Sequence, residues 1–378
     1  MKHKIKSSYN LLTNGGLYSE RIATYTALSE QLLSGKLEID VLVDWSPCIH
    51  HNNQLLKASV VLRGKTMTLY EEVHPEEKLG NYEVHKSFLN KLKLIIPANI
   101  RVTVMTDAGF RTEWFKLITK LGWDFTGRVR SNILFQQIGG DSWTNCTSEY
   151  QFATNTATYR GEVLLSKENQ LQCFLYLYKE LNHNKPTPKG FHLLLTSFSG
   201  DIKLFNPPKN KPILIKNNQK YYLHGNSEGK VWRLTELDPQ VIAQMSLIFP
   251  DKNGNTKEQK ICATNAVKKY SKRMKIEHEF RSTKNPQYGI GLSYSRSMDP
   301  KILQVLLLIG QLYLFLLWLI GLATEYEKKH FDYQANTVKT HRVLSLVFLG
   351  MQVILHGIDW ITDEVLLNAL TWGKIDEK

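Results

Sequence analysis

Asp44, Asp107 and Glu277 are the residues of this chain best suited by type and context to do chemistry together. Val41-Leu42-Val43 leads into Asp44, and Val102-Thr103-Val104-Met105-Thr106 leads into Asp107. A carboxylate directly after such an apolar run is expected at the end of a buried strand, where a sheet edge opens to ligands. Glu277 lies in Tyr270–Asn285, YSKRMKIEHEFRSTKN, which lacks Gly and Pro and reads as a helix stopped by Asn285-Pro286. At about 100° per residue, Tyr270, Arg273, Glu277, Arg281 and Lys284 fall within an arc of about 80°, spread over roughly 21 Å of axis. Three carboxylates from different elements are the donor set that holds two hard cations, Mg²⁺ or Mn²⁺, about 4 Å apart for in-line phosphoryl transfer. Arg273 and Lys284 are spaced to grip successive phosphates, Arg281 is a further DNA-binding candidate on the same face, and Tyr270 can reach a phosphate or a terminal base. The plainer alternatives are a solvated helix face with i,i+4 ion pairs, and aspartates that only cap helices or form turns.

Composition favours an anionic partner. Lys and Arg number 48 against 35 acidic residues, a formal charge of +13, and nucleic acid is the simplest match. With 42% apolar residues the chain is neither fibrous nor disordered. Cys48, Cys146, Cys173 and Cys262 are far apart and form no CxxC pair. That excludes a disulfide framework and a cysteine zinc site, and suggests a reducing, intracellular setting. Met1-Lys2-His3-Lys4 leads into no apolar run, so no secretory signal is expected. Residues 302–323 are apolar and uncharged, long enough to span a bilayer. Isolated in a polar chain, the segment reads better as a buried central helix, and membrane attachment is not expected.

The elements that must position the carboxylates can be traced in order. Strands are expected over 37–43, 55–62 and 67–73, the last two joined at Arg63-Gly64-Lys65. A helix over 82–96, a strand over 101–106, a helix over 112–121 and a strand over 123–129 follow. That last strand ends among Arg128 and Arg130, both candidates for DNA binding. A meander followed by helix, strand, helix and strand is the layout of an α/β, ribonuclease-H-like mixed sheet. From 131 to 262 the texture changes to short β-like runs at 150–153, 160–165, 171–179, 191–197, 212–216 and 220–224. This reads as an antiparallel β insertion, in which Trp143 and Trp232 are candidates for base stacking or for ordinary core packing. Further helices over 343–356 and 362–370 form a helical C-terminal part. The catalytic core is thus expected as 36–130 and 263–300, interrupted by 131–262 and followed by 301–378.

Four segments carry a family likeness: VLVDWS at 41–46, MTDAGFR at 105–111 with GWDFTGRVR at 122–130, YSKRMKIEHEFRSTKN at 270–285, and QANTVKTHRVLSLVFLG at 334–350. Together they resemble the DDE transposases of bacterial insertion sequences, in particular the insertion-sequence-4 group. The third segment reproduces that group's Tyr-x2-Arg-x3-Glu-x6-Lys signature without a gap, and the likeness spans nearly the whole chain. The resemblance implies that Asp44, Asp107 and Glu277 are the metal-binding catalytic triad, and that Tyr270, Arg273 and Lys284 contact the transposon end. It also implies a reaction. Water frees a 3′-hydroxyl at the element's end, which forms and reopens a hairpin before strand transfer into target DNA. A homodimer on paired double-stranded ends, in a bacterial cytoplasm and at the nucleoid, is implied as well. Relatives begin with an additional end-recognition domain, and residues 1–35 read as its remnant. They also place a base-stacking Trp shortly before the signature helix; residues 240–262 contain none, which leaves Trp232 as the substitute. Two other functions remain open. One is a ribonuclease-H-like nuclease that stops at hydrolysis; the other is a catalytically silent regulator that binds DNA ends.

Overall fold

The structure is a computed structural model that describes residues 2–48, 52–129, 132–179, 191–196, 213–216, 219–222, 257–285, 290–295, 297–335 and 337–374. The chain forms two compact units, Met1–Phe125 with Lys269–Lys378, and Thr126–Lys268.

The first unit begins with helices α1 (Lys2–Leu12), α2 (Gly15–Ser19) and α3 (Arg21–Leu33). Its sheet is built from β1 (Glu38–Pro47), β2 (Asn53–Leu62), β3 (Lys65–Pro75) and β4 (Arg101–Thr106), in the order β3-β2-β1-β4. β1, β2 and β3 pair antiparallel, whereas β1 and β4 pair parallel. The β2–β3 hairpin closes through Arg63-Gly64, where Gly64 takes the left-handed conformation at φ +64° that costs a glycine nothing. The parallel pair needs a crossover, supplied by α4 (Tyr82–Ile95), whose first turn is capped by the Asn81 side chain. After β4 come α5 (Thr112–Lys120) and β5 (Asp124–Arg128), at which the first unit gives way to the second. β2 and β3 are buried along nearly their whole length, as expected of strands covered on both faces.

Helices close the first unit. α6 (Lys257–Ser271) runs into it, and α7 (Lys275–Lys284) follows. α8 (Pro300–Tyr326), α9 (Leu346–His356) and α10 (Asp363–Gly373) form the C-terminal part. α8 is long and apolar enough to cross a membrane, yet it makes the contacts of a core helix. Gln311 Nε2 donates to Thr68 O at 3.4 Å and Trp318 Nε1 to Arg63 O at 3.0 Å, both on the β2–β3 hairpin. α9 crosses α8 where two glycines meet: a Cβ on Gly321 would lie 1.9 Å from Leu346 O, and one on Gly350 would lie 2.0 Å from Leu317 O. Backbone approach this close excludes any side chain there. Leu312, Tyr313 and Leu316 stay partly exposed on α8.

The second unit is antiparallel β. Thr126–Arg128 of β5 pairs with β10 (Phe191–Thr196), which continues through β9 (Leu171–Lys179), β8 (Thr158–Leu165), β6 (Leu134–Gln137) and β7 (Thr144–Asn145). A separate hairpin joins β11 (Ile213–Lys216) to β12 (Gln219–Tyr222). The strand expected at 150–153 is instead the end of a 3₁₀ helix, Cys146–Phe152. Asn145 causes this: its side chain accepts from Thr147 N and its carbonyl from Ser148 Oγ, which turns the backbone at once. Arg160 then pins the helix by an ion pair to Glu149.

A mixed sheet with helices, an antiparallel β insertion after β5 and a helical C-terminal part is a ribonuclease-H-like architecture.

Candidate active site

The parallel register of β1 and β4 fixes the first two carboxylates. Leu42 lies opposite Met105 in the ladder's last recorded pair. Two residues further on stand Asp44, still within β1 and on the face of Leu42, and Asp107, just past the end of β4 and close enough for its charge to act on Asp44. Asp107 follows directly on the end of β4 and turns the chain, its Oδ1 accepting from Gly109 N at 2.7 Å. Asp44 does not end its strand, contrary to the sequence reading. β1 continues to Pro47, because its antiparallel pairing with β2 (Asp44 opposite Lys57) outlasts the pairing with β4. Asp44 therefore sits where one flank of its strand has just become free.

The same face of β1 positions the helix that carries Glu277. Asp40, Leu42, Asp44 and Ser46 alternate onto it, and each meets a residue of 269–284. Asp40 pairs with Lys269 at 3.4 Å and Lys272 at 2.9 Å. Leu42 and Met105 share a buried cluster with Ile276 and Phe280 of α7. Asp44 meets Arg273, and Lys284 Nζ donates to Ser46 Oγ at 2.7 Å. Glu277 is thus held beside the aspartates by apolar anchors on the residue before it and three residues after it.

The helix itself is not continuous. Lys272–Met274 form a 3₁₀ turn between α6 and α7, a break that a wheel drawn over 270–285 does not include. Arg273 sits in that turn and is buried to 8% exposure. Its Nη1 donates to Asp44 Oδ2 at 3.1 Å, and its Nη2 to Glu277 Oε1 at 3.3 Å and to Met274 Sδ at 3.1 Å. One guanidinium bridges two of the three carboxylates. Its Nε is buried with no hydrogen-bond partner among the described residues.

Electrostatics single out Asp44. Burial and then the neighbouring Asp107 push its carboxyl from 3.8 up to about 7, against the relief given by Arg273 and by Trp45 N, which donates to Asp44 Oδ1 at 2.8 Å. Glu277 adds a smaller push upward. Burial alone would lower the Arg273 pKa, but Tyr270, Asp44, Asp107 and Glu277 together raise it. Negative charge is therefore concentrated here beyond what one guanidinium balances, and the donors are all oxygens. Oxygen donors of this kind would suit a hard divalent cation. Among the described residues no group of three or more His, Cys, Asp or Glu side chains is gathered closely enough to ligate one ion.

An open groove of about 670 Å³ adjoins the carboxylates, lined by Asp44, Trp45, Ser46, Glu277, Phe280, Arg281, Lys284 and Asn285. Two expected DNA contacts, Arg281 and Lys284, line it. Burial lowers the Lys284 pKa, and Lys57 adds to the effect. Tyr270 lies against Arg273, whose guanidinium stands 5.9 Å from the ring centre. Arg128 belongs to the second unit, on β5. Arg130 and Trp232 lie outside the described residues, and Trp143 is half-buried in the second unit. Sequence reasoning missed Asp40, Trp45 and Ser46. Strand alternation counted from Asp44 would have found Asp40 and Ser46. Trp45 is fixed by its indole N–H, which donates to His85 Nε2 at 3.1 Å. Burial, with His74 adding, lowers the His85 pKa to about 4, so that ring is neutral and accepts.

Residues 45–313 match the family model of the transposase DDE domain. The matched span contains Asp107, Arg273 and Glu277 and begins one residue after Asp44. No curated protein matches the chain.

Proposed function

The chain belongs to the transposase DDE domain family, and from that membership we propose that it is a cut-and-paste DNA transposase of the insertion-sequence-4 group. Its reaction is phosphoryl transfer on double-stranded DNA: cleavage at the ends of a mobile element, then joining of the freed 3′-hydroxyls to target DNA. One observation supports this above the rest. Asp44 and Asp107 follow the parallel pair of β1 and β4 closely enough for their charges to interact, and Arg273 bonds both Asp44 and Glu277.

Asp44, Asp107 and Glu277 would hold two Mg²⁺ ions, or Mn²⁺ in their place, which when bound supply charge stabilisation for the attacking and leaving oxygens. Ionised carboxylates only accept hydrogen bonds, so by themselves they repel a phosphate backbone. Arg273, Arg281 and Lys284 offset that repulsion from the same helix segment and orient the DNA end through charge-assisted contacts. Tyr270, against the Arg273 guanidinium, offers a further donor to the DNA end. Arg128 and Arg130 add phosphate contacts, and the protein acts as a homodimer on paired ends in the nucleoid of a bacterial cytoplasm.

The DNA flanking the coding sequence supplies the test, because its terminal inverted repeats are the substrate. Purified full-length chain with Mg²⁺ and such an end should give both cleavage and strand transfer, and Asp107→Asn and Glu277→Gln should lose both. Cleavage without joining would identify a nuclease. Binding without cleavage in any divalent ion would identify an end-binding regulator and refute the proposed chemistry.

A further inference from the structure

Arg273 stands where cations are wanted. In the DNA-free chain its guanidinium spans Asp44 and Glu277 at 3.1 and 3.3 Å. It cannot lose its proton at any ordinary pH, so its charge stays between the two carboxylates until another ion displaces it. A fixed positive charge between two carboxylates neutralises them and repels an incoming divalent ion at the same time. The bridge also leaves the guanidinium incompletely paired: Nε is a buried donor without an acceptor among the described residues, an arrangement that carries an energetic cost. The residue sits in the 3₁₀ turn Lys272–Met274 between two α-helices, a kind of break that often marks a hinge. Lys269 and Lys272, tied to Asp40, hold the chain just before it.

We propose that Arg273 is a latch on the carboxylate site, bridging Asp44 and Glu277 in the free protein and releasing them for divalent cations when a DNA phosphate takes the guanidinium. The inference rests on the reading of Asp44, Asp107 and Glu277 as cation ligands, and adds that cation loading is coupled to DNA. A phosphate offers Arg273 a bidentate partner and an acceptor for Nε. By linkage, whatever factor DNA adds to cation affinity, cations add to DNA affinity. The latch keeps the free protein from assembling a loaded site away from DNA.

The test measures Mn²⁺ binding to the full-length, DNA-free protein from the loss of the free-ion paramagnetic resonance signal. Arg273→Gln should bind Mn²⁺ at least about tenfold more tightly than the parent, since one cation no longer competes for the same carboxylates. Arg273→Gln combined with Glu277→Gln should lose that gain. Arg273→Lys, whose single point charge cannot bridge both carboxylates, should show a smaller gain, and it decides the matter if the glutamine variant fails to fold. Equal affinity in the parent and both Arg273 variants, with Glu277→Gln weakening each, would overturn the latch and leave the cation site standing. Mn²⁺ binding that is absent, or indifferent to Glu277→Gln in every background, would overturn the cation site and the latch together.

Discussion

Glu72, buried, and Asp44, half-buried, are carboxylates of the first unit two strands apart in one sheet, and their surroundings treat them in opposite ways. Burial would raise the Glu72 pKa, but hydrogen bonds from His74, Lys91 and Tyr70, at 2.8, 2.6 and 2.6 Å, outweigh it and hold the carboxyl at about 2. Nearby, Lys57 pairs with Glu71 at 3.1 Å and donates to Thr283, and Lys65 pairs with Glu279 at 2.9 Å. Each acid in that network has its own cation. At the site, Asp44 instead faces a second acid, shares one guanidinium with Glu277, and rises to about 7. Fully partnered charges serve the fold. Acids left facing one another weaken the fold, which marks them as a candidate functional site.

The largest effect that would separate the two regions is on chemistry. Glu277→Ala should slow Mg²⁺-dependent cleavage of an element end by about 10⁴-fold or more, the scale of losing one member of a catalytic unit. Its thermal midpoint should stay near the parent's, because Glu277 is partly exposed. Single-turnover cleavage and a melting curve check both halves, and a large loss of stability would place Glu277 with the structural network.

Next is the network itself. Lys57→Met leaves Glu71 buried without its cation, with Tyr25 still donating to the carboxylate, and should cost about 3–5 kcal/mol in denaturant unfolding. Adding Glu71→Leu should recover much of that loss. No recovery would show that Lys57 serves through packing rather than charge.

The pH dependence of the two acids should have opposite sign. Glu72 is depressed, so its stabilisation is present above 4.5 and is lost as pH falls towards about 2. Glu72→Gln should therefore cost about 2–3 kcal/mol near neutrality and almost nothing at the acid end of that window. Asp44 is raised, so the folded state holds an extra proton between 3.8 and about 7, and stability falls as pH rises through that interval. Asp44→Asn should stabilise the cation-free protein by on the order of 2 kcal/mol above the window and not below it. Unfolding curves at several pH values would show both, and a shared sign would erase the contrast.

The smallest effect concerns the groove. Arg281→Ala and Lys284→Ala should each lower the salt slope of DNA binding by about one phosphate contact, with cation binding unchanged. A change in cation affinity instead would move them into the carboxylate site.

Much of this arrangement was legible in the sequence. The strands leading to Asp44 and Asp107, their crossover helix and Glu277 between Ile276 and Phe280 all follow from alternation and helical spacing. What escaped the sequence depends on tertiary pairing. Asp44 falls inside β1 because β2 outlasts β4 as a partner, which no local pattern encodes. A helical wheel presumes an unbroken helix, so it set Arg273 beside the other cations and not inward between two acids. β6 and β7 are short and lack clear alternation, and pairing with β8 and with each other makes them strands. Lys57, Glu71 and Glu72 look like surface residues until their partners are known. Length and composition also cannot tell a core helix from a spanning one. Nor do they show that α8 packs against its neighbours at Gly321, Gln311 and Trp318.

Iron-directed cleavage of the protein backbone tests most directly whether Asp44, Asp107 and Glu277 hold the ions of phosphoryl transfer. Fe²⁺ in place of Mg²⁺, with ascorbate and peroxide, cuts the chain beside its own binding site, and mass spectrometry of the fragments locates the cuts. With an element end bound, cuts should cluster beside all three residues, be suppressed by excess Mg²⁺ and be lost in Glu277→Gln. Cuts that spare one of the three residues, or that persist unchanged in Glu277→Gln, would contradict that assignment.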